Sequence, residues 1–260
     1  MTINDACNFI YANEKSEKYG VILCSISDTT VSSNEESSSI ISSKTAIQRT
    51  TDFHSLQYNE PLKFNITICK INGRYMDSND ERIYKKWLCK TERNWLQIDQ
   101  PDLYDVWYNC IITNPIKDNI AKKTGGLTFS VECDWGGAWT HLYKKTYTTL
   151  NNYLQFNIKY FSDFDNDILT PILKITAKSN CDIQVNNITT KKVFSIKNCK
   201  RNEIIKFDNT RQIFNTTEPR LLIDDWNKRF FELAEGFNTI ELIGDFIMEL
   251  EYRLPLRVGG

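Results

Sequence analysis

A chain of 260 residues with 41% hydrophobic and 25% charged side chains is long enough for two ordinary domains or one large β domain, and its balance excludes a disordered polymer. Its 32 basic and 33 acidic residues leave a net charge of −1, which argues against wrapping nucleic acid, since neutralising phosphates requires a basic excess. No apolar run approaches the ~20 residues that span a bilayer. Met1–Cys7 lacks the basic and apolar regions of a secretory signal, so the expectation is a chain made and folded in a cytoplasm, with no membrane contact.

In chain order, residues 27–60 stand apart first. They are polar and serine-rich with no sustained period, and from composition alone a solvated loop is the preferred reading. The sharper alternative is an arm that orders on a neighbouring subunit, with Ile40, Ile41, Phe53, Leu56 and Tyr58 as its apolar groups. Strict alternation then begins: Leu62, Phe64, Ile66 and Ile68 against Lys63, Asn65 and Thr67 predict a half-buried strand. Asp77 to Glu81 offer capping and first-turn acids, Ile83, Trp87 and Leu88 form an apolar stripe, and Lys85, Lys86 and Lys90 follow. This predicts a helix over 79–90 packed on the first sheet.

Further alternating runs occur at Leu127–Cys133, Leu154–Tyr160, Cys181–Val185 and Phe246–Tyr252, and a shorter helical stretch is expected around Asp225–Leu233. Short strands separated by Asn- and Gly-rich turns read as sandwiches or barrels, and the expectation is an all-β fold with one packed helix, built as two β-sandwich domains. The turn Lys122–Gly126 and the run Asp134–Gly137 place the boundary so that the domains cover 1–135 and 136–260.

Chemistry is sparse. There are two histidines, His54 and His141, and no nucleophile elbow, phosphate loop, zinc-binding helix or dinucleotide fingerprint. Asp163–Asp167 lacks the glycine and distal glutamate of a calcium loop, and a turn explains it better. The eight cysteines lie 17 or more residues apart without a Cys-x-x-Cys pair, so reduced core thiols are preferred over disulfides or a metal site. The expectation is a non-enzymatic protein without cofactor or metal. Trp135 and Trp139 flank a Gly-Gly turn. Packing at a domain junction is the favoured account of them, and contact with a carbohydrate or partner is the alternative.

The order of segments then becomes informative. Phe9–Asn13 followed by Glu17–Val21, the strand Pro61–Ile68, the helix Glu81–Leu88 and the strand Gly126–Cys133 succeed one another. In the second half come Pro171–Ile175, Glu203–Asp208 and Phe231–Ile240, the last carrying a Leu-x-x-Gly-x-Asn-x-Ile turn. This ordered set resembles the distal tail protein family of bacteriophages over nearly the whole chain. Two departures are Trp135-Gly136-Gly137 where many relatives have a proline, and the serine-rich character of residues 27–60. No carbohydrate-binding insertion interrupts the second half.

The resemblance implies an N-terminal ring-forming β domain, usually hexameric, and a C-terminal galectin-like sandwich. It implies that residues 27–60 form part of a belt between subunits, which favours the arm over the loop. The implied setting is the virion tail tip or baseplate, assembled in a bacterial host cytoplasm. The implied partners are further copies of the chain, the tail tube protein, the tail-tip hub or tail-associated protein, and receptor-binding proteins. A carbohydrate-binding, receptor-recognising module is the alternative function.

Overall fold

The computed structural model describes residues 6–28, 38–43, 52–58, 61–120, 123–164 and 168–258. The chain divides into two compact units, residues 1–140 with 256–260, and residues 141–255. The division falls five residues beyond the expected 135/136 boundary, and the last residues of the chain return to the first unit instead of ending in the second. Leu256 and Val258 pack on the first unit's core, which is what draws the terminus back.

The first unit contains β1 (Phe9–Tyr11), β2 (Glu14–Lys15), β3 (Val21–Asp28), β4 (Ser38–Ser43), β5 (Asp52–Tyr58), β6 (Lys63–Lys70), α1 (Ser78–Leu88), β7 (Asn94–Ile98), β8 (Trp107–Ile120), β9 (Lys123–Cys133) and β10 (Ala138–Trp139). One antiparallel path runs β2-β1-β7-β8-β9-β6-β3. The sheet curls until its ends meet, because Cys7, just ahead of β1, exchanges both backbone hydrogen bonds with Leu23 of β3, at 3.0 and 2.9 Å. Such closure leaves little free edge at that seam. The alternation read from the sequence is the cause of the core: Phe64, Ile66 and Ile68 of β6 and Leu127, Phe129, Val131 and Cys133 of β9 are all buried on one face.

Helix α1 covers that core. Its N-terminus carries a capping box: the Asp77 carboxylate accepts from the Asn79 and Asp80 amides at 2.8 and 2.9 Å, and the Asp80 carboxylate accepts from the Asp77 amide at 2.9 Å. The helix spans 78–88, not 79–90, and ends at Cys89, whose amide closes the last turn on the Lys85 carbonyl. Its buried face is Glu81, Tyr84, Trp87 and Leu88, a spacing of three and four residues, so Ile83 lies off the stripe and is exposed. The buried Glu81 carboxylate is held below the usual range chiefly by a hydrogen bond from Lys117, whose Nζ lies 2.8 Å away.

The second unit contains β11 (Tyr143–Thr148), β12 (Tyr153–Tyr160), β13 (Ile168–Leu169), β14 (Ile172–Ala177), β15 (Cys181–Asn187), β16 (Lys192–Cys199), β17 (Ile204–Asp208), β18 (Ile213–Thr216), α2 (Leu222–Asp225), β19 (Leu233–Ala234), β20 (Gly236–Ile243) and β21 (Phe246–Tyr252), after which β22 (Pro255–Leu256) leads back to pair with β10. A five-stranded sheet, β11-β21-β14-β17-β18, and a four-stranded sheet, β12-β20-β15-β16, feed one core. Ile175, Phe207 and Met248 enter it from the first sheet, and Ile158, Val185, Phe194 and Leu242 from the second. That is a β-sandwich.

The helical stretch expected at 225–233 is instead a single turn at Leu222–Asp225 followed by extended chain. Trp226 bridges Ile196, and the Asn227 amide donates to the Ser195 carbonyl at 3.1 Å, so pairing along the edge of β16 wins over helix propensity. The Leu-x-x-Gly-x-Asn-x-Ile turn also has a physical reason. Gly236 adopts φ +94°, and the fully buried Asn238 amide clamps Ala234, accepting from its N–H at 2.9 Å and donating to its carbonyl at 2.6 Å.

Candidate functional site

Strands β4 and β5 form a two-stranded antiparallel ribbon, and among the described residues they pair only with each other. The register sets Ile40 opposite Leu56, Ile41 opposite Ser55, Ser42 opposite Phe53 and Ser38 opposite Tyr58. All five apolar residues singled out in this segment therefore lie on one hairpin. The composition-based loop does not describe these two stretches. The remainder of the segment, 29–37, 44–51 and 59–60, lies outside the described residues. The ribbon is inserted between β3 and β6, neighbours in the curled sheet.

Trp135 and Trp139 come together, with ring centroids 5.4 Å apart and planes inclined by 53°. Both are half-buried. The Trp139 indole N–H donates to the Asp134 carboxylate at 3.3 Å, and the other oxygen of Asp134 accepts from the Asn109 amide at 2.9 Å. The Leu62 amide donates to the Trp135 carbonyl at 2.9 Å. A Cβ on Gly137 would stand 2.6 Å from the Trp135 ring and 2.7 Å from the Leu256 carbonyl oxygen, so only glycine fits between them. Rings inclined in this way do not form a flat stacking platform.

Sequence reasoning missed a second set of exposed apolar groups. Phe161 and Phe237 are 50% and 65% exposed and meet edge to face at 6.5 Å, with the Lys159 ammonium 4.0 Å from the Phe161 centroid. The signal was present: Tyr153, Gln155, Asn157 and Lys159 occupy the outward positions of β12, and Phe161 continues that row where a polar residue is the norm. Leu221, Ile223 and Ile213 are also exposed, beside an open groove of about 580 Å³ lined in part by Phe214, Arg220 and Leu222. Exposed apolar groups of this kind suit contact with other proteins.

Thr216 and Arg220 of the groove belong to a charged cluster. The Glu203 carboxylate, fully buried, accepts from Arg220 Nε at 2.9 Å, Thr216 Oγ1 at 2.6 Å and the Lys200 amide at 2.9 Å. Arg220 also donates to the Asp225 carboxylate at 2.6 Å and to the Lys197 carbonyl at 2.9 Å. Asp225 is held below the usual carboxylate range, first by its hydrogen bond from Asn198 and then by Arg220. These groups tie the segment after β18 to the end of β16. Asp225 thus belongs to a structural clamp. His141 is exposed and lies against Tyr143, with ring centroids 4.0 Å apart and planes inclined by 52°. His54 falls in β5, opposite the register shift, and Asp165–Asp167 lie outside the described residues. Among the described residues no group of His, Cys, Asp or Glu side chains is placed to hold a metal ion, and no helix is long and apolar enough to cross a membrane.

Comparison with known proteins accords with an architecture of packed sheets and exposed contact surfaces. The family model described as phage tail protein N-terminal domain matches residues 4–135, and the one described as phage tail C-terminal domain matches residues 137–252. Among solved structures, the Dit (gp 19.1) protein of phage SPP1 is similar, with TM-score 0.64 and 7% identity over 95% of this chain and 98% of that one. A chain of the phage P2 baseplate in its activated conformation with Ca is similar with TM-score 0.55 and 10% identity over 95% and 97%. A search of curated proteins gives no match. At such identities the structural likeness speaks to the fold. The family models speak to kinship, and between them they leave little of the chain unmatched: the protein belongs to the phage tail protein family and is a structural component of the virion.

Proposed function

We propose that the chain is a non-catalytic, ring-forming adaptor of the tail tip, joining the tail tube to the baseplate hub and the host-attachment apparatus. In this reading the first unit builds a closed, hexameric ring around the tail channel, and the second, galectin-like unit contacts neighbouring baseplate proteins. The observation that carries it is the ribbon Ser38–Ser43 with Asp52–Tyr58, hydrogen-bonded to itself alone among the described strands. An isolated two-stranded hairpin is marginally stable in water and gains most by lying on another surface. A head-to-tail contact whose rotation closes makes a ring. The similar solved structures support the setting, since one is presented as a hub of the adsorption apparatus and another is a baseplate.

In this assembly Ile40, Ile41, Phe53, Leu56 and Tyr58 meet the adjoining subunit. Phe161 and Phe237, exposed side by side, are groups for contact with a different tail protein. The test replaces residues 38–58 by a short Gly-Ser linker. Mass photometry is expected to show rings for the parent chain and monomers for the variant, with the melting of both units retained. Rings of unchanged size and yield would remove the arm from the account.

A further inference from the structure

The cysteines, far apart in sequence, are brought into pairs by strand register. Cys181 of β15 lies directly opposite Cys199 of β16. Residues directly opposite on antiparallel strands have Cα atoms about 4.5–5.5 Å apart, inside the roughly 4.4–6.8 Å range of disulfides. Both side chains lie on the core side of the four-stranded sheet, where Cys199 is buried and Cys181 packs against the same cluster. The pair sits at the end of the ladder, next to a register shift between Cys181 and Ile183, and β16 is an edge strand.

We propose that Cys181 and Cys199 form a disulfide once the particle leaves the reducing cytoplasm, stapling the β15–β16 hairpin of the extracellular virion. The inference does not depend on ring formation. Virion surfaces are among the places where disulfides persist. The co-reactant is a low-molecular-weight disulfide. Cys181, half-buried, loses its proton and attacks one sulfur of that disulfide, giving a mixed disulfide and one released thiol. Cys199 then gives up its proton and attacks the Cys181 sulfur, expelling the second small thiol. Two protein thiols and one small disulfide become one protein disulfide and two small thiols.

The order of attack follows from the surroundings. Burial pushes the Cys199 thiol up to about 12, so it is the poorer first nucleophile. The Arg220 guanidinium 3.8 Å from its sulfur is placed to stabilise the thiolate as it resolves the mixed disulfide. A second opposed pair, Cys110 and Cys133, shares the register, but both thiols are fully buried, and an oxidant reaches them only through local opening.

The experiment incubates the purified full chain with oxidised glutathione, quenches in acid, alkylates in denaturant and maps tryptic peptides without reduction. Peptides 179–191 and 198–200 carry the two cysteines separately, so a bridge joins them into one species lighter by two hydrogens than their sum. The expected result is that joined species within the native state, a melting temperature raised by several degrees and reversal by dithiothreitol. The variant Cys181→Ser keeps a polar hydrogen at the Asp245 carbonyl, 3.7 Å from the native sulfur, and is expected to melt like the reduced parent and to lose the oxidative shift. Both cysteines recovered alkylated, or each carrying glutathione without the joined peptide, would overturn the proposal. An equal oxidative shift in Cys181→Ser would overturn it as well.

Discussion

Arg220→Ala is expected to destabilise the second unit by about 3–5 kcal/mol, the usual cost of removing one partner of a buried ion pair. The reason is what it leaves behind. Glu203 has a fully buried side chain, and its carboxylate depends on Arg220 for charge compensation as well as for two of its hydrogen bonds. Thr216 and the Lys200 amide remain as donors, but neither carries a charge. The same substitution removes the Arg220 contacts to Asp225 and to the Lys197 carbonyl, so the segment 217–226 keeps only the Asn198–Asp225 hydrogen bond and the Trp226–Ile196 bridge to β16. Denaturant unfolding reads the loss. The double variant Arg220→Met with Glu203→Gln is expected to recover much of it, because the uncompensated charge is gone. An Arg220→Ala variant within ~1 kcal/mol of the parent would mean that water reaches Glu203 and that the clamp is not buried in solution.

The second large effect is expected in the first unit. Trp87→Ala should cost about 3–5 kcal/mol, as large-to-small changes of buried aromatics do. Trp87 is 3% exposed and is stacked between Tyr19, 4.0 Å away, and Phe9, 5.3 Å away, while its indole N–H donates to the Tyr11 carbonyl at 3.3 Å. It is the residue by which α1 seats on β1, so its loss empties the contact and uncovers the core beneath. Trp87→Phe retains most of the apolar volume and gives up the hydrogen bond, for a smaller loss of about 1 kcal/mol. Thermal unfolding of the two variants is expected to rank them in that order, with the second unit unaffected. Equal and small losses would show that α1 is held elsewhere.

Much of this fold is legible in the sequence because half-buried strands must alternate, and Phe64–Ile68, Leu127–Cys133 and Phe246–Tyr252 do so without interruption. The helix is legible because Asp77 and Asp80 cap it, although its apolar stripe runs through Tyr84 and not Ile83. The ribbon is not legible, and its register explains why. A shift between Ile41 and Ser42 leaves His54 without a directly opposed residue, and such a bulge breaks the period of two just where it would have to be recognised. The extended course of Trp226 is also hidden, since it follows from pairing with Ile196, thirty positions earlier in the chain. The same holds for the cysteine pairs. Their separations in sequence carry no motif, and only strand register shows that Cys110 faces Cys133 and Cys181 faces Cys199.

The proposed function requires copies of this chain to associate into a closed ring. Electron microscopy of the purified full-length protein, imaged over a range of concentrations alone and with the adjoining tail proteins, tests this most directly. Closed rings of uniform diameter in the class averages are the predicted outcome. Single particles of monomer size under every one of those conditions would contradict it.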